Sequence, residues 1–90
     1  MFDLTAFQRD LVYTIAGLDE SHGLGIKEEM ERAYGEEINH GRLYPNLDSL
    51  IDEGLVEKGN IDKRTNSYTL TSRGQRAIEA REEWTSEKIE

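Results

Sequence analysis

Cysteine is absent from this 90-residue sequence, which excludes a disulfide framework and any thiolate metal site and fits a reducing cytoplasm. Lysine stands only at Lys27, Lys58, Lys63 and Lys88, histidine only at His22 and His40, and proline only at Pro45. Two histidines without regular carboxylate spacing do not make a metal site, so no metal or cofactor is expected. None of Ser21, Ser49, Ser67 and Ser72 has the flanking residues of an activated nucleophile, and catalysis has no support. No apolar run approaches the roughly 18 residues of a membrane span, and no basic-then-apolar leader opens the sequence. The expectation is one soluble, cytoplasmic domain that is not an enzyme and has no membrane partner.

What is plentiful is acid. The net charge of −8 argues against a nucleic-acid partner, because phosphate attracts basic surfaces. The charge is unevenly spread. Residues 1–38 carry nine acids against Arg9, Lys27 and Arg32, a net −6. Residues 39–76 carry Arg42, Lys58, Lys63, Arg64, Arg73 and Arg76 against five acids, a net +1, and residues 77–90 return to −3. Ordinary scatter of surface charge is one explanation; a segment kept clear of acid for a polyanion is the other. An acid-rich, lysine-poor surface also suits a salty cytoplasm. At about 1 M salt the Debye length is about 3 Å, so acidic flanks repel DNA only at close range.

Hydrophobic periodicity divides the chain into helices and a hairpin. A first helix spans about residues 5–17: Thr5 and Gln8 have capping-box spacing, and Phe7, Leu11, Ile15 and Leu18 recur at helical intervals. After Ser21, His22 and Gly23 a second helix places Ile26, Met30, Ala33 and Tyr34 on one face, and Gly35 ends it. A third begins after Asn39, a good N-cap, and ends at Gly54, with Leu43, Leu47, Leu50 and Ile51 as its buried stripe. Residues 55–61 and 67–70 then read as strands around a polar turn at 62–66. Thr71 caps a last helix carrying Ala77, Ala80 and Trp84. The fold expected is mainly α with a small β-hairpin: a winged helix-turn-helix over residues 1–70, and a dimerisation helix over 71–90.

The second and third helices have helix-turn-helix proportions, with the later one as reader. Its leading turns hold His40, Arg42, Tyr44 and Asn46, which should face outward opposite Leu43 and Leu47. Arginine forks onto guanine, asparagine onto adenine, and a phenol or imidazole suits phosphate. Pro45 would ordinarily break a helix by colliding with the carbonyl four residues back. That residue is Gly41, free to adjust, and the leucine stripe runs on past it, so the helix is expected to continue. At the hairpin tip, Lys63, Arg64 and Asn66 fit either a wing on the DNA backbone or an ordinary polar turn.

The string Gly41, Arg42, Leu43, Tyr44, Pro45, then Leu47, Leu50 and Glu53, Gly54, Leu55, Val56, resembles the signature of the PadR family of winged-helix regulators. Tyr68, Thr69, Leu70, Thr71 and Gly74 resemble its second strand and the opening of its C-terminal helix; Gly23, Leu24 and Ile26 resemble the start of its second helix. The likeness covers roughly residues 5–80, and the acidic composition resembles members from salt-loving archaea. It implies a dimeric transcriptional regulator, commonly a repressor, with the third helix in the major groove of double-stranded DNA, Arg42 and Tyr44 in contact, and the hairpin at the backbone. Two reading helices of a homodimer would then sit about 34 Å apart on a pseudo-palindrome.

The dimer contact is expected from the last helix, at Ala77, Ala80 and Trp84, helped by Phe2 and Leu4. Trp84 serves either as an interface anchor or as a platform for a flat effector molecule. A winged-helix module that binds protein and no DNA is the alternative, since fold alone does not set function, and the acidity favours it.

Overall fold

A computed structural model of the chain describes residues 1–18 and 21–89; Glu90, the last residue of the expected dimerisation segment, lies outside the described residues. Helix α1 (Ala6–Gly17) starts with the expected capping box. Gln8 N donates to Thr5 Oγ1 at 3.1 Å and Thr5 N to Gln8 Oε1 at 3.2 Å, pairing two amides that a helix start leaves orphaned. Helix α2 (Gly23–Tyr34) is capped by an imidazole, His22 Nδ1 accepting from Gly25 N at 3.0 Å, and ends at Gly35 with φ 71°. Helix α3 (His40–Asp52) opens on Asn39, whose Oδ1 takes Arg42 N at 2.8 Å. It runs through Pro45 without a break.

Between α2 and α3, the connection is held by one carboxylate. Glu31 Oε2 accepts from Ile38 N at 2.9 Å and pairs with Lys27 at 2.9 Å. Ile38 drops into the core beside Leu43 and Leu47, so this short link is anchored from inside and fixes the angle of the pair.

Strands β1 (Val56–Asn60) and β2 (Asn66–Leu70) form an antiparallel pair with Val56 opposite Leu70 and Asn60 opposite Asn66. β1 is shorter than the strand expected at 55–61, and β2 begins one residue before the one expected at 67–70, because the tip closes on itself at 61–65. Asp62 Oδ1 accepts from Arg64 N at 2.8 Å and Thr65 N at 2.9 Å, and Ile61 N reaches Thr65 O. Tyr68 N donates to Ser21 O at 2.7 Å and His22 bridges to Ser67, which ties β2 to the start of α2. Helix α4 (Ser72–Ile89) follows at once. Thr71 Oγ1 caps it through Gly74 N and itself donates to Gly54 O at 2.6 Å.

The core is one cluster joining α1, α2, α3 and the hairpin, with Leu11, Val12, Ile26, Leu43, Leu47 and Leu50 essentially free of solvent. Leu4 belongs to it at 7% exposure. Expected at a dimer contact, its side chain is covered within its own subunit.

Candidate nucleic-acid interface

Four polar side chains were expected to face outward from the first turns of α3, and the structure separates them. His40 and Arg42 are exposed. Arg42 Cζ lies 4.0 Å from the centroid of the Phe7 ring and 6.0 Å from that of Tyr34. Among the described residues no carboxylate or carbonyl takes a bond from its guanidinium, so its donors remain available.

Tyr44 is half-buried. Its ring meets His40 edge-on at 5.5 Å and lies across Gly23, where a Cβ would come within 2.3 Å of the phenol oxygen. Asn46 is turned back: Nδ2 donates to Arg42 O at 2.7 Å and Oδ1 accepts from Gln8 Nε2 at 3.0 Å. Both ends of its amide are thus held by the protein, where the sequence suggested a side chain facing outward. The cause is Gln8 on α1, a contact 38 residues distant that spacing within α3 cannot reveal.

Beside Tyr44, a groove of about 440 Å³ runs between the start of α2 and the hairpin, lined by His22, Leu24, Tyr44, Ile61, Arg64 and Tyr68. Lys63, Arg64 and Asn66 are exposed at its outer edge. Neither Lys63 nor Arg64 pairs with an acid among the described residues. Asp62, the nearest carboxylate in sequence, is occupied by the amides of Arg64 and Thr65, which hold it below the usual aspartate range. Burial, and then the neighbouring Tyr44 and Asp48, push the Tyr68 phenol up.

Away from this face, Phe2 and Trp84 pack edge-on at 5.5 Å, with Arg81 Cζ about 5 Å from both rings. Both aromatics are about half exposed, at 53% and 43%. Ala77 is half-buried against the core, whereas Ala80 is exposed. Among the described residues, no group of three His, Cys, Asp or Glu is placed to hold a metal, and no helix is long and apolar enough to cross a membrane.

A helix-turn-helix and a two-stranded wing on one core define a protein of the winged-helix class. The sequence matches the profile of the transcriptional regulator PadR-like family over residues 12–80, and the chain belongs to that family. It is thus a transcriptional regulator of the winged-helix type and not an enzyme. A complex structure of hsRosR-S1 is 52% identical, with a TM-score of 0.93 over 98% of this chain and 78% of that one. H. salinarum RosR grown from NaBr is 53% identical, with a TM-score of 0.91 over 97% of this chain and 78% of that one. F93 from STIV, described as a winged-helix DNA-binding protein, superposes with a TM-score of 0.71 over 97% of this chain and 96% of its own at 21% identity, a likeness of fold alone. The transcriptional activator GvpE of Haloferax mediterranei is 32% identical over 54 residues, 60% of this chain. That match spans only 28% of the length of GvpE.

Proposed function

We propose that this protein is a cytoplasmic regulator that binds double-stranded DNA as a homodimer, with one α3 helix in each of two successive major grooves of a pseudo-palindromic site. The half-sites would lie about 34 Å apart. Arg42 reads a base edge, Tyr44 and His40 meet phosphate, and Lys63, Arg64 and Asn66 follow the backbone from the wing. Bound over a promoter, the dimer acts mainly by blocking transcription. A salty cytoplasm screens the acidic flanks.

The observation that carries this reading is Arg42 itself: exposed on the reading helix, with its donors unspent. Mobility shift on labelled genomic fragments at moderate and molar salt tests it. Retention of particular fragments, abolished or made unselective by Arg42→Ala, is the expected result. No retention at any salt, with a protein recovered in a pull-down, would favour an interaction module instead. A promoter fusion whose output falls when the protein is absent would reverse the sign of regulation.

A further inference from the structure

The surroundings of Arg42 go beyond the residue itself. A guanidinium carbon 4.0 Å from a ring centroid lies over the ring face, and the ring is Phe7 of α1, buried on its other sides at 6% exposure. Phe7 is in turn met edge-on by Tyr34 of α2, with centroids 5.9 Å apart and planes at 85°. Tyr34 is fixed by its hydroxyl, which donates to Asp10 at 2.6 Å. Burial, and then this bond, push the phenol above its ordinary value. The Asp10 carboxylate is thereby occupied by tyrosine.

Two consequences follow for an arginine that must present a flat fork to a base. Contact of a guanidinium with a ring face is attractive, and no acceptor among the described residues takes the N–H donors of Arg42. A long side chain that is already placed also loses less freedom on binding than one that must be fixed at that moment. We infer that Phe7 and Tyr34 are specificity-determining positioning residues: without touching DNA, they aim the Arg42 guanidinium and so set base discrimination at the pair it reads. This rests on the proposed DNA reading by Arg42.

The test uses the intact chain. A preferred duplex is first selected from a random pool with the parent protein, and the base pair at which Arg42→Ala loses preference is located. Dissociation constants for that duplex, for one changed at that pair and for an unrelated duplex are then measured by fluorescence anisotropy. The proteins compared are the parent, Phe7→Leu, Tyr34→Leu, Arg42→Ala and the Phe7→Leu/Arg42→Ala double variant. Loss of the stack should lower discrimination at that pair about two- to fivefold, the scale of an exposed cation–π contact. Binding to the unrelated duplex should not change, and the double variant should match Arg42→Ala alone.

Losses that add in the double variant, or discrimination that survives both leucine substitutions, would overturn the inference while leaving Arg42 as reader. If Arg42→Ala loses preference at no pair, the reading by Arg42 itself falls. Thermal melting accompanies each variant. Should Phe7→Leu not remain folded, half-buried Tyr34 carries the test, since its ring can be removed with less cost to the core.

Discussion

Two glycines with similar short contacts should respond in opposite ways to a methyl group. At Gly23 the obstacle is the Tyr44 hydroxyl, 2.3 Å from a built Cβ, the far end of a side chain that can swing away. At Gly74 it is the Leu55 carbonyl oxygen at 2.2 Å, part of the backbone that joins α3 to the wing. Gly74→Ala should cost about 1–3 kcal/mol, the usual range for overpacking, seen as a clear fall in thermal midpoint. Gly23→Ala should melt near the parent temperature yet bind DNA more weakly, because Tyr44 is displaced. An equal loss of stability in both would show that Tyr44 cannot move. Gly23 was legible as part of a family resemblance, but its partner was not. A gap that admits a ring from another helix leaves no periodic trace.

Glu31 links residue and element. The Ile38 amide and then Lys27 hold its carboxyl below the ordinary glutamate value of 4.5. A group depressed in the folded state contributes stability that is complete above its unfolded pKa and fades as pH falls through the folded one. Glu31→Gln keeps an acceptor for Ile38 and removes the titration. Denaturant unfolding should therefore depend less on pH in the acid range below 4.5 for the variant than for the parent. Equal slopes would mean that the carboxylate does not lock the turn. At the hairpin, Lys63→Ala with Arg64→Ala should lower DNA affinity about equally across sequences and flatten its dependence on salt, as expected of phosphate contacts. A changed preferred site would assign base reading to the wing. The elements themselves were largely legible. Capping at Thr5 and Asn39 is local chemistry, and α3 continues through Pro45 because its buried stripe outweighs one missing hydrogen bond. Ile38 was less legible: alone among polar residues it has no period, and only packing reveals it as the pin of the turn.

At the scale of the molecule, α1 is the hub. It meets α3 through Phe7 and Gln8, α2 through Asp10, and α4 through Tyr13, whose hydroxyl donates to Glu82 at 2.9 Å. On the far side, Phe2 and Trp84 offer apolar surface suited to a second subunit, as aromatics at interfaces commonly are. Trp84→Ala should shift sedimentation of the proposed homodimer toward monomer at micromolar concentration. It should also weaken binding to the two-half-site duplex more than to a single half-site, since only the former uses both subunits. An unchanged dimer would move the interface elsewhere on the chain.

Helix starts, the hairpin and the order of elements were contained in the linear pattern, because caps, turns and 3.6-residue periodicity act over a few neighbours. Which of the polar side chains on α3 are available was decided only in three dimensions. Gln8 claims Asn46, Gly23 receives Tyr44 and Phe7 carries Arg42, and each of these contacts joins residues far apart in sequence whose meeting depends on how the helices pack.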